Sequence, residues 1–184
     1  MARKIMIIRH AEKPDEQIAG ISIEGIQYAE ELTPRGWQRS GALIRFFAPA
    51  AGAFGDSRLM TPTFVFASGV GEHSKSLRPQ HTVAALAEQL GQQLNLTHLK
   101  GGEGALVADV VTRNEPVLIA WQHEGIPEIV NRIVGNTTTC PQEWPSRRFD
   151  LVWVLDQATP PDAWTFSQIP HMLLPGDSNM TIPL

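Results

Sequence analysis

Three short, uninterrupted apolar runs set the terms for this chain: Ile5-Met6-Ile7-Ile8, Phe64-Val65-Phe66-Ala67 and Val117-Leu118-Ile119-Ala120. A strand with one wet face alternates polar and apolar residues, so a run that is apolar at every position reads as a strand buried on both faces. Such strands need helices on either side of their sheet, and the sequence supplies them. Thr33-Pro34 reads as a helix start, with Thr as N-cap and Pro in the first turn, followed by a buried stripe of Trp37, Leu43, Ile44 and Phe47. Residues 79–90 open on Pro79, place Val83, Leu86, Ala87 and Leu90 at helical spacing, and stop at Gly91. Residues 127–134 repeat the plan, with Ile126, Ile129, Val130 and Ile133 facing inward and Gly135 as the stop. A further helix is expected over 104–113, strands over 149–155 and 164–169, and a loop with some helix over 12–32. Half of the 14 prolines follow Cys140, so the last quarter reads as loops and edge structure.

Strands alternating with amphipathic helices predict an α/β fold with a mostly parallel central sheet, formed by one domain over 1–184. The net charge of -4 argues against a general nucleic-acid binder, which would show a basic face. No apolar stretch approaches the roughly 20 residues of a membrane span, and the apolar run after Met1-Ala2-Arg3-Lys4 is too short for a signal peptide. The expectation is a soluble, cytoplasmic protein with no membrane partner. With Cys140 as the single cysteine, no intrachain disulfide can form. The sequence leaves the oligomeric state open.

In folds of this class ligands bind beyond the carboxyl ends of the strands. The first strand ends in Arg9-His10-Ala11-Glu12-Lys13, the second in Ser68 leading to Arg78 before a helix, and the third in Trp121-Gln122-His123-Glu124. These types belong together in phosphoryl transfer. A neutral imidazole is a competent nucleophile near pH 7 because its ordinary pKa is about 6.5. The three outer oxygens of the phosphoryl group must be held and their charge offset, which the planar fork of arginine does without ever deprotonating. A helix start at Pro79 would add backbone N–H groups beside Arg78.

Taken in order, Arg9-His10 after a buried strand, Leu32-Thr33-Pro34-Arg35-Gly36, Ser68 with Arg78 and Thr82, and His123 after another strand resemble the histidine phosphatase superfamily, also called phosphoglycerate-mutase-like. The resemblance implies a three-layer α/β/α sandwich in which His10 is phosphorylated, Arg9 and Arg78 bind the phosphoryl oxygens beside Ser68, and His123 completes the pocket. It implies no metal and no cofactor, and a small phosphorylated substrate or a phosphoprotein as partner. Two departures stand out. Ala11 replaces the usual Gly, and Ser68 and Arg78 are ten positions apart, so residues 69–76 form an extra piece expected at the pocket mouth.

The proton donor has two candidates: Glu124, directly after His123, is favoured over Glu103 on its glycine-rich loop. His81, His98 and His171 read as structural or exposed, the last two without partners. Metal-ligand spacings, a dinucleotide-binding glycine pattern and a Gly-x-Ser-x-Gly elbow are all missing from the sequence. The leading expectation is a phosphatase. A phosphomutase is the first rival, weakened by the lack of obvious extra basic residues for a carboxylate-bearing substrate, and a non-catalytic phosphate-binding protein is the second.

Overall fold

The computed structural model describes residues 3–184. In chain order the elements are β1 (Arg3–Arg9), α1 (Pro34–Phe47), β2 (Phe64–Ala67), α2 (Arg78–Gln89), β3 (Leu94–Asn95), α3 (Glu103–Val110), β4 (Val117–Trp121), α4 (Ile126–Val134), β5 (Leu151–Gln157) and β6 (Thr165–Pro170). The six strands form one sheet in the order β3-β2-β4-β1-β5-β6. The first four are mutually parallel, whereas β5 runs antiparallel to both β1 and β6. The parallel part is the part that presents three strand ends to one edge.

Side-chain alternation divides the core into two apolar layers. Ile5, Ile7, Ile119, Trp121 and Trp153 face α3 and α4, against Leu106, Val110, Ile129 and Val130. Met6, Ile8, Leu118, Val152 and Val154 face α1 and α2, against Leu43, Phe47, Val83 and Leu86. Every residue of Ile5-Met6-Ile7-Ile8 is therefore buried, and the result is a three-layer α/β/α sandwich. α1 begins where the sequence places it: Thr33 is the N-cap and its hydroxyl accepts the Gly36 N–H. α4 ends at Gly135, which takes the left-handed conformation that favours glycine, with φ of 77°.

Two expectations are corrected, and one short strand is added. Residues 12–32 contain no helix; they form turns with one isolated antiparallel bridge between Ile21 and Gln27, because their apolar residues have no helical period. Strand β3 is only two residues long, too short to leave a periodic signal. His98 and His171 do have partners, the Asp109 carboxylate for one and the Arg39 guanidinium for the other. Among the described residues no helix is long and apolar enough to cross a membrane.

The C-terminal segment is held against α1 by a buried ion network. Arg39 of α1 donates to both Glu12 and Asp177, with its Nη2 2.7 Å from a carboxylate oxygen of each. Asp177 also accepts the Leu173 and Leu174 N–H groups. Arg39 and Asp177 are almost fully buried, so removing the cation would strand two carboxylates with only the half-exposed Arg35 nearby. Arg39→Met keeps the volume and removes the charge. It should lower the unfolding free energy in urea by about 3–5 kcal/mol, the cost of breaking a buried pair.

Candidate active site

The site begins where parallel pairing ends. Arg9 of β1 stands opposite Trp121 of β4, and Ala67 of β2 opposite Ala120. One more ladder bond follows each pair: His10 N–H donates to the Trp121 carbonyl at 3.0 Å and Ser68 N–H to the Ala120 carbonyl at 3.2 Å. The chain then leaves the sheet three times on one edge, delivering His10, Ser68 and the Gln122-His123 corner.

His10 is buried, and its Nδ1 lies 2.7 Å from the Ala11 carbonyl oxygen. A carbonyl only accepts, so Nδ1 carries the proton and Nε2 keeps its lone pair. The Ala11 peptide is itself clamped, since its N–H donates to the Thr82 hydroxyl, which donates in turn to the Arg78 carbonyl. Downstream, the Glu12 carbonyl accepts from both the N–H and the hydroxyl of Thr33. At Gly36 a Cβ would come within 2.7 Å of that same Glu12 carbonyl. The Thr33-Pro34-Arg35-Gly36 signature thus acts as the brace of the loop that follows His10.

Arg9 is 2% exposed. Its Nη1 sits among the carbonyls of Pro145, Ser146 and Arg148, at 3.2, 2.7 and 3.2 Å, and its Cζ lies 3.9 Å from the Phe149 ring centroid. Its other edge, Nε and Nη2, is buried and has no acceptor among the described residues. Arg78 repeats the pattern: Nη1 donates to the Ala29 carbonyl at 2.8 Å, Nη2 is 3.4 Å from Glu30, and Nε is buried without a partner. His123 Nδ1 lies 3.1 Å from a Glu124 oxygen but is not aligned for a hydrogen bond, and it too is buried and unpaired. A buried donor left unpaired costs about 1–3 kcal/mol. Arg9, Arg78 and His123 thus each carry a buried, unpaired nitrogen, and the charges of all three act on His10.

The electrostatics agree. Burial, then the neighbouring Arg9, hold His10 well below the ordinary imidazole range, with Arg78 and His123 adding to the shift and the Ala11 carbonyl opposing it. His123 is also lowered, by burial first and then by Arg9, with Glu124 opposing. Burial pushes Arg9 down to about 10, which leaves it charged at neutral pH. For Glu124 burial acts upward, but its backbone N–H, His123, Lys100 and Arg9 outweigh it and keep the carboxyl ionised at neutral pH.

Of the two acids, Glu124 lies half-exposed beside His123, 3.6 Å from Lys100. Glu103 is buried, where its carboxylate accepts Trp121 Nε1–H at 2.9 Å and Gly101 N–H at 3.2 Å. It packs under the turn at Gly125, where a Cβ would meet its Oε1 at 2.7 Å. Ser68, expected at the substrate, has a structural partner in the free site. Ser68 is fully buried and its hydroxyl accepts from Gln122 Nε2 at 3.0 Å, so it braces the corner that carries His123. Thr82 and Phe149 are residues of the site to which the sequence reading gave no role. Among the described residues no group of three or more His, Cys, Asp or Glu side chains is placed to hold a metal ion.

No protein-family model matches the sequence, and no curated protein matches it significantly. Solved structures do match. The protein histidine phosphatase SixA, in complex with tungstate, aligns over 91% of this chain and 97% of its own, with a TM-score of 0.54 and 15% identity. Mycobacterial glucosyl-3-phosphoglycerate phosphatase aligns over 98% and 100%, with a TM-score of 0.54 and 14% identity. Phosphoserine phosphatase from Entamoeba histolytica, solved as a mutant with phosphoserine, aligns over 90% and 95%, with a TM-score of 0.55 and 11% identity. The chain shares the fold of these solved phosphatases. On this fold the 69–76 segment runs from the end of β2 to the start of α2, pinned by bridges of Gly69 to Leu99 and Gly71 to Ser74.

The lowered pKa values of His10 and His123 have a direct readout. A lowered pKa means that protonation begins at lower pH than for a free imidazole, which is half protonated near pH 6.5. The Cε1 proton resonance of His10 should therefore hardly move between pH 8 and about 6.5 in the ligand-free protein, and that of His123 should move less than a free imidazole's. A midpoint at or above 6.5 for His10 would contradict the burial and charge argument.

Proposed function

We propose that this protein is a phosphohydrolase that cleaves a phosphate monoester or a phosphorylated side chain through a phosphohistidine on His10. The carrying observation is the double unpaired edge of Arg9. Carbonyls hold Nη1, which leaves Nε and Nη2 as a parallel pair of donors. That pair matches two oxygens of a tetrahedral oxyanion. The bound tungstate of the solved SixA structure is an anion of that kind and supports the reading.

The chemistry follows from the arrangement. His10 Nε2 attacks phosphorus while the bond to the leaving oxygen breaks, and the phosphoryl group passes to the ring. Arg9 and Arg78 offset the charge on the outer oxygens, and His123 adds a third donor as charge develops. The Ala11 carbonyl stabilises the ring as it becomes positively charged. Water then attacks phosphorus, the P–N bond breaks, and phosphate leaves with His10 restored. Glu124 is ionised in the free site, so it takes up a proton only once the substrate dianion is beside it. It would then protonate an alkoxide leaving group and afterwards deprotonate the attacking water.

The reading is tested by hydrolysis of nitrophenyl phosphate, inhibition by vanadate, and acid-labile phosphate trapped on His10. His10→Asn should abolish all turnover, and full activity in that variant would sink the proposal. Arg78→Lys keeps the charge but loses the fork, and should cost at least about tenfold in kcat/KM, on the order of 1.4 kcal/mol. The acid has its own signature. Glu124→Gln should lose roughly 10²–10⁴-fold on an alkyl phosphate and far less on nitrophenyl phosphate, whose leaving group needs no proton. Glu103→Gln, read by the same ratio, should leave the leaving-group dependence unchanged.

A further inference from the structure

The two arginines of the candidate site are held by different kinds of acceptor. Arg9 Nη1 is fixed by three neutral carbonyls. Arg78 is held by residues 29–31, from the loop between His10 and α1. Its Nη1 donates to the Ala29 carbonyl at 2.8 Å, while its Nη2 lies 3.4 Å from a Glu30 carboxylate oxygen, an ion-pair contact that is not aligned as a hydrogen bond. The Glu30 carbonyl accepts the Leu77 N–H at 3.0 Å, which ties the same residue to the start of α2.

The carboxylates around Arg78 differ in what engages them. Glu31 is buried and lies 2.7 Å from His81 Nδ1, and Glu124 lies 3.6 Å from Lys100. Glu30 makes its ion pair with Arg78 alone among the described residues, and its side chain is 35% exposed. Burial lowers the pKa of Arg78, and Glu30 is the foremost of the acids that oppose the shift, ahead of Glu31 and Glu124.

The shape of a guanidinium decides the consequence. Nε and Nη2 lie along one edge, the edge that Arg9 leaves open. On Arg78 the Nε is likewise buried and unpaired, but Nη2 is the nitrogen that faces Glu30. A phosphoryl group that took this edge in two parallel bonds would meet a carboxylate already beside it. The long, unaligned contact can give way, but the negative charge stays.

We propose, resting on the phosphohydrolase reading, that Glu30 is a built-in competitor for Arg78, a positioning residue that holds the guanidinium in the empty pocket and whose charge loosens the grip on the phosphoryl group and on the phosphate product. The outer phosphoryl oxygens carry negative charge in the bound ester, in the loose transition state and in free phosphate. Glu30 therefore acts on all three in the same direction, and its effect falls on binding rather than on the chemical step. A pocket with two arginines and no such acid would retain its product longer.

The test uses the full chain and measures competitive inhibition by inorganic phosphate, with nitrophenyl phosphate as substrate. Glu30→Gln removes the charge and keeps the size, and Glu30→Ser removes the charge in a second way. In both, KM and the inhibition constant for phosphate should fall together by about two- to fivefold, the worth of a partly exposed ion pair, with kcat at or below the wild-type value. The gain should shrink as salt is raised. Glu30→Asp, which keeps the charge, should bind phosphate as the wild type does. Glu88→Gln makes the same charge change near the other end of α2 and should have no effect. A merely structural role for Glu30 predicts the opposite sign, because a slackened Arg78 would hold phosphate less well. Weaker or unchanged phosphate binding in the Glu30 variants, or equal tightening in Glu88→Gln, overturns the proposal and leaves the phosphohydrolase reading standing. Calorimetric titration with phosphate gives the same ranking without turnover. A wild-type protein that neither hydrolyses nitrophenyl phosphate nor binds phosphate or vanadate overturns both.

Discussion

The structure turns on the last rung of the β1–β4 ladder, where His10 N–H meets the Trp121 carbonyl. Parallel pairing there is inextensible: the register that sets Arg9 against Trp121 also fixes where the imidazole leaves the sheet and where the His123 corner begins. A slip of one residue would exchange the side chains of two close-packed apolar layers, and their packing resists it. The precision of the site is thus inherited from the core, with His10 displaced from it by a single residue.

Around that fixed point the protein accumulates groups that oppose folding. Two guanidinium groups and two imidazoles act on one another through their charges, with several of their nitrogens buried and unpaired. Burial lowers the pKa values of all four; repulsion adds to it at Arg9, His10 and His123, whereas Glu30, Glu31 and Glu124 oppose it at Arg78. Such a site persists only because the scaffold over-determines it. The carbonyls of residues 145, 146 and 148 hold Arg9, Thr82 clamps the Ala11 peptide, and Arg39 ties Glu12 to the C-terminal segment. On the proposed function, an incoming oxyanion would relieve the same repulsion and turn stored electrostatic energy into affinity.

The Thr33-Pro34-Arg35-Gly36 signature shows the difference between seeing a motif and explaining it. Its helix-start chemistry is readable from residue types, and the cap forms as expected. Its service to His10 is not, because that depends on the Glu12 backbone lying against Gly36. Glu103 and Ser68 make the converse point. Both stand at positions where function is expected from chain order, yet each hydroxyl or carboxylate is engaged by a neighbour, Gln122 or Trp121, that one-dimensional reading does not pair with it.

The sequence by itself determined the layers, the helices with strong period and caps, and the three strand ends that carry Arg9, His10, Ser68 and His123. Those features rest on local periodicity and backbone preference, which act over a few residues. Only the tertiary structure decided which donors remain free, which acid stands beside His123, how the proline-rich last quarter folds back to hold Arg9, and that Glu30 stands against Arg78. Each of these is a contact between distant segments, set by packing and by competition among partners. A hydrogen bond made elsewhere removes a side chain from the site, and that competition is resolved only in three dimensions.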